Sequence, residues 1–142
     1  MNAHNIEPRA IEPRADLGQL SAQVSRQIVQ LHARLYGRGP TRAKTYITGD
    51  YALSVLEEIF TPAERTLIAA GKGEHVQATR MAFQEAVQAE FVAIVEETTG
   101  RGVRALISQV HLETGLAIEL FLFAPHEPAT AGPTSKNNGE GP

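Results

Sequence analysis

From residue 16 to residue 37 the apolar side chains Leu20, Val24, Ile28, Leu31 and Leu35 recur at spacings of four, four, three and four, which lays one stripe along an α-helix. Asp16 can cap its first turn with Gln19 three residues on, and Gly37 supplies a stop. The period then changes. Residues 41–48 carry Thr45, Tyr46 and Ile47, Gly49-Asp50 follows, and residues 51–60 hold Leu53, Val55, Leu56, Ile59 and Phe60. Such β-branched, aromatic and apolar runs on either side of a turn pair predict an antiparallel hairpin.

Thr61-Pro62-Ala63-Glu64 combines an N-cap hydroxyl, a proline at the first helical position and a glutamate at the capping-box position. A short helix therefore starts here and ends near Gly71 or Gly73. Residues 74–99 put Val76, Phe83, Val87, Phe91, Ile94, Val95 and Thr98 on one side of a single long helix, with Gly100 at its C′ position. Two more strands, 103–112 and 116–124, are joined by Glu113-Thr114-Gly115. The predicted order is α-β-β-α-α-β-β, an α+β two-layer sandwich with a four-stranded antiparallel sheet and helices on one face. In the last strand Leu116, Ile118, Leu120 and Leu122 occupy one face while Ala117, Phe121 and Phe123 make the other apolar too. A sheet apolar on both sides needs a second cover, so a homodimer is expected.

A chain of 142 residues with 42% hydrophobic content suits one domain. Residues 6–10, Ile-Glu-Pro-Arg-Ala, are repeated at 11–15, and this Pro-rich duplication reads as a disordered leader over 1–15. Residues 125–142, dominated by Pro, Gly, Ala, Thr and Asn, read as a disordered tail, which leaves 16–124 as the domain. A net charge of −3 disfavours a nucleic-acid binder. Without cysteine there is no thiolate metal site, disulfide or thiol nucleophile, and no cofactor motif is present. No window resembles a signal peptide or a membrane span, so a cytoplasmic protein without direct membrane insertion is expected.

Charge is unevenly placed. From Leu17 to Gly49 there is no Asp or Glu, while Arg26, Arg34, Arg38, Arg42 and Lys44 are all present. The segment Tyr36-Gly37-Arg38-Gly39-Pro40-Thr41-Arg42-Ala43-Lys44 reads as an anion-facing loop, with Arg38, Gly39, Thr41, Arg42 and Lys44 as candidate ligands of a small anion. Dipole and capping preferences at a helix C-terminus account for Gly37 and Arg38 without any ligand, but not for Arg42 and Lys44. Arg80 and Arg104 are candidate further cations for the same anion, or partners of surface glutamates. His111, near the end of the third strand, is either a proton-sensitive ligand contact or a strand-end residue bonded to neighbouring backbone. Glu57-Glu58 and Glu96-Glu97 read as solvated faces, and no nucleophile motif or metal-ligand spacing is present, so a non-enzymatic protein is expected.

Three features together, Leu35-Tyr36-Gly37-Arg38-Gly39-Pro40, the Thr61 to Arg65 stretch after Leu56, and Thr99-Gly100-Arg101 before 103–108, resemble a bacterial family named for MpsC, a component of membrane-potential-generating systems. The resemblance covers roughly residues 21–123. It implies an accessory or regulatory protein linked to inorganic-carbon uptake or to ion transport that sustains membrane potential; joined to the basic loop, it gives the expectation of a sensor that binds a small anion of bicarbonate or carboxylate type. An Asp is expected after Ser108 in many relatives, and this chain has Gln109. The resemblance assigns no catalytic residues. A different class of reading, with the same basic loop, is an interaction module that docks on an acidic surface of a membrane-complex subunit without a small ligand.

Overall fold

The structure is a computed structural model that describes residues 13–125, so the duplicated leader and the tail predicted at the two ends lie largely outside the described residues. Helix α1 (Pro13–Tyr36) leads to strands β1 (Arg42–Ile47) and β2 (Tyr51–Glu57). Helices α2 (Pro62–Ala69), α3 (Gly73–Ala86) and α4 (Gln88–Thr99) follow, then strands β3 (Val103–His111) and β4 (Leu116–Phe123). All neighbouring strands are antiparallel and the sheet order is β1-β2-β4-β3. The α+β class and four-stranded sheet expected from the pattern are therefore present, and β4 is inserted between β2 and β3.

Helix ends follow the residues that specify them. Gly37 has φ 80 and donates its N–H to the Ala33 carbonyl, while Gly100 has φ 70 and donates to Glu96, both positive-φ stops that cost a glycine little. At α2 the capping box is complete, with the Glu64 N–H donating to Thr61 Oγ1 and the Thr61 N–H donating to Glu64 Oε1.

Three expectations are corrected. Helix α1 starts at Pro13, so Asp16 lies in its first turn and is not its N-cap. Residues 74–99 do not form one helix: the chain leaves helical geometry at Val87 (φ −112, ψ 14), between α3 and α4. Neither proline nor glycine is there. The break lets α3 turn Val76 and Arg80 inward while α4 independently buries Phe91 and Val95. The second strand ends at Glu57 rather than at residue 60, because Glu58 adopts φ 54 and turns the chain so that Ile59 and Phe60 enter the core.

The core lies between the helices and one face of the sheet. Val24, Ile28 and Leu31 from α1 meet Ala52 and Leu56 from β2, Phe91 and Val95 from α4, and Phe121 and Phe123 from β4. Phe91 and Phe121 are fully buried, and truncating either to alanine would cost roughly 3–5 kcal/mol. Among the described residues no helix packs on the opposite sheet face. Register places Tyr46, Leu53, Leu120 and Ile107 in one row across it, and Val55 beside Ile118 in the next. Tyr46, Tyr51, Ile107 and Ile118 are exposed there. Among the described residues no helix is long and apolar enough to cross a membrane.

Candidate functional site

The buried face of the sheet carries a polar row. Thr45, Ser54, Glu119 and Ser108 stand opposite one another across all four strands, in the middle of an otherwise apolar surface. Helix hydrogen bonds serve both ends. Ser25 of α1 bonds Thr45, which bonds Ser54, each at 2.8 Å. Gln84 of α3 donates to Ser108 Oγ at 2.6 Å and to Glu119 Oε2 at 2.8 Å, and the Ser108 hydroxyl also donates to Glu119 Oε2. Burial pushes the Glu119 carboxyl up to about 7, against the opposing hydrogen bond from Ser108. This side chain therefore exchanges its proton near neutrality.

Beside Glu119 opens a cavity of about 260 Å³ between α1, α3 and the sheet, walled in part by His32, Tyr36, Arg80, Gln84, Ser108 and Glu119. Arg80 is 3% exposed. Its Nε donates to Glu64 Oε2 at 2.7 Å and its Nη2 to Glu64 Oε1 at 2.5 Å and to the Ile59 carbonyl at 2.7 Å. The guanidinium lies over the Tyr36 ring, 3.6 Å from its centroid. Only Nη1 makes no hydrogen bond to any described residue, so the fork is committed on one side and open on the other. Burial raises the Glu64 carboxyl, but the hydrogen bonds from Arg80 and Thr61 and the Arg80 charge outweigh it and leave Glu64 below its usual value.

His32 is 3% exposed and its Nε2 has no hydrogen-bond partner among the described residues. Burial, and then the positive charge of Arg80, hold its imidazole at about 4, so it is neutral at physiological pH. Its ring packs at 5.6 Å from both Tyr36 and Phe91. Burial also raises the Tyr36 phenol, with Arg80 opposing. A buried imidazole nitrogen without a partner, on the wall of a cavity, leaves a polar demand that a ligand or water can meet.

The residues singled out in the sequence are dispersed. Arg38 donates to the carbonyls of Phe60 at 2.9 Å and Glu58 at 3.2 Å, so it holds the 58–60 turn from one side as Arg80 does from the other. Gly39 is where the loop crosses α1: an added Cβ would meet the Val29 carbonyl oxygen at 3.0 Å. Thr41 donates its hydroxyl to Glu58, Arg42 pairs with Glu57 at 3.3 Å, and Lys44 lies over the Tyr46 ring at 5.1 Å. Those three belong to the β1 edge of the sheet. Arg104 and His111 are on β3, at the opposite edge. Arg104 is the extra residue of a bulge and donates to the Phe123 carbonyl, and His111 Nδ1 shares a hydrogen bond with Thr114. Of the whole set, Arg80 alone lines the cavity.

Glu119, His32, Tyr36, Gln84 and Ser108 carried no functional assignment in the sequence. One signal was present: Glu119 is the sole charge in the apolar run Leu-Ala-Ile-Glu-Leu-Phe-Leu-Phe, on the face of Ala117 and Phe121.

A protein-family model matches residues 16–125, spanning the helices, the sheet and every wall of the cavity. The chain belongs to the MpsC family. Its description reads Na+-translocating membrane potential-generating system (MpsC). Searches of the curated proteins and of the solved structures return no match. Within this member of the MpsC family, the Thr-Pro-Ala-Glu segment has two tasks, since Glu64 completes the α2 capping box and is also the counter-ion of the cavity arginine.

Proposed function

We propose that this MpsC-family chain is a non-enzymatic accessory or sensor protein of a membrane-potential-generating ion-transport system, and that it binds a small anion of bicarbonate or carboxylate type in the cavity beside Arg80. The observation that carries this reading is the open side of the Arg80 fork on a cavity whose polar lining also holds a neutral imidazole, amides, hydroxyls and the carboxyls of Glu85 and Glu119. A guanidinium with free N–H groups in a partly dry site is a strong acceptor-binding group, and Glu64 fixes its plane before any ligand arrives. The basic loop is a weaker candidate, because Arg38 is engaged with backbone carbonyls and Arg42 with Glu57.

The second part of the reading is a homodimer through the open sheet face. Its inner rows are apolar, and residues 126–142 contain no Leu, Ile, Val, Met, Phe or Tyr with which that segment would cover them. A second copy supplies the same apolar rows and satisfies both faces at once.

Thermal shift at fixed ionic strength tests the anion site, with bicarbonate, formate, acetate, nitrate and phosphate as probes. Stabilisation selective for one class should persist in the Arg38→Ala/Arg42→Ala variant and vanish in Arg80→Lys, which keeps the charge and loses the fork. The reverse pattern would return the site to the loop.

A further inference from the structure

We propose that the ligand of the cavity is an organic monocarboxylate with an apolar body, and that Glu119 carries a proton while that ligand is bound. This rests on the cavity reading above and sharpens it.

Size argues first. A water takes about 30 Å³ of liquid volume, whereas the cavity measures about 260 Å³. An anion with the dimensions of bicarbonate or formate would leave most of it unfilled. The rest of the wall is mixed: Ile59, Met81, Leu106, Val110 and Ala117 give it an aliphatic share, beside the polar side chains of Gln77, Glu85, Gln88 and Gln109. Fixed polar groups that can hold an anionic head, together with five aliphatic wall residues, suit a molecule that carries a hydrocarbon body on that head.

Charge argues second. The ionisable groups facing Glu119 come from three helices: His32 and Tyr36 on α1, Glu64 on α2 through its pair with Arg80, and Arg80 with the exposed Glu85 on α3. From α4 only Gln88 lines the cavity, and the strands offer the hydroxyls of Ser54 and Ser108 opposite Glu119. The positive charge of Arg80 is already matched by Glu64. A carboxylate entering beside ionised Glu119 would place two like charges in one cavity whose arginine is already half committed to Glu64. Protonating Glu119 removes one of them and turns the carboxyl into a donor, as in carboxyl pairs that share a proton. The balance is simple: the ligand enters as its anion, Glu119 takes one proton from solvent, and no covalent bond changes. Because burial already brings Glu119 to about 7, this proton is available near neutrality.

The test is calorimetric titration of the full chain with acetate, butyrate and benzoate, each fully ionised between about pH 6 and pH 9. Benzamide serves as the uncharged control. The affinity for the larger carboxylates should be level below about pH 7 and then fall about tenfold per pH unit, the slope of one linked proton. At pH 8, runs in buffers of different ionisation enthalpy should reveal uptake of close to one proton per ligand. Glu119→Gln, which keeps a donor and cannot ionise, should bind with no pH dependence. Carboxylate binding that is already independent of pH in the wild type would overturn the proton linkage and leave the anion site standing. No saturable binding of any carboxylate at any pH would overturn both. A preference for acetate over butyrate and benzoate would overturn the apolar body alone. The wild-type titration decides the linkage even if the variant does not fold.

Discussion

At the scale of single residues, His32 and Glu119 pull the stability of the protein in opposite directions with pH. The folded-state value of His32 lies at about 4, below its ordinary 6.5, so its neutral burial stabilises the fold at high pH and costs stability as pH falls below 6.5. The value for Glu119 lies at about 7, above its ordinary 4.5, so the folded protein holds that proton more tightly and loses stability as pH rises from 4.5 towards 7. Between these limits the two slopes cancel. Denaturant unfolding of the wild type should therefore be level between about pH 5 and pH 6.5 with respect to these two groups, whereas Glu119→Gln should gain roughly 1.5 kcal/mol over the same interval as His32 acts unopposed. A parallel response of the two proteins would show that Glu119 does not keep its raised value. Neither group was legible from sequence as a partner of the other, since residues 32 and 119 are brought together only by the packing of α1 on the sheet. Arg38 misled for a related reason. Its charge was visible, but the carbonyls of Glu58 and Phe60 that occupy it exist only once the turn at Glu58 has formed.

Elements were more legible than sites, because hydrophobic period and capping chemistry are local. The Thr61 to Glu64 box, the Gly37 and Gly100 stops and both hairpins stand where their residues place them. The break at Val87 was not legible, because the apolar period continues across it and only the different duties of α3 and α4 demand it. The cap at α2 connects this scale to the cavity. Thr61→Ala should cost about 1 kcal/mol of stability by the loss of the cap hydroxyl. It takes away the acceptor of the Glu64 backbone N–H and so loosens the first turn that carries the Glu64 carboxylate, which the Thr61 N–H and Arg80 still hold. It should therefore also weaken anion binding more than an equally destabilising change at an α2 position away from Glu64. Equal effects on binding would assign the cap a purely structural role.

For the whole molecule, the exposed sheet face is the feature that a monomer does not explain. Ile107→Lys, at a position 52% exposed in the single chain, should leave the fold intact and convert a dimer to a monomer in sedimentation velocity. An unchanged sedimentation coefficient would place the second cover elsewhere. The position of β4 carries a different consequence. It is the last strand of the described residues yet pairs on both sides, with β2 some sixty residues earlier and with β3 immediately before it. During synthesis, then, the α1-β1-β2 portion and the α4-β3 portion emerge as two fragments with unpaired strand edges, and neither can close on the other until residues 116–123 have left the ribosome. A nascent chain of this protein therefore carries β1 and β2 as an open half-sheet through the synthesis of all three following helices, and β4 acts as the keystone that joins that half to β3.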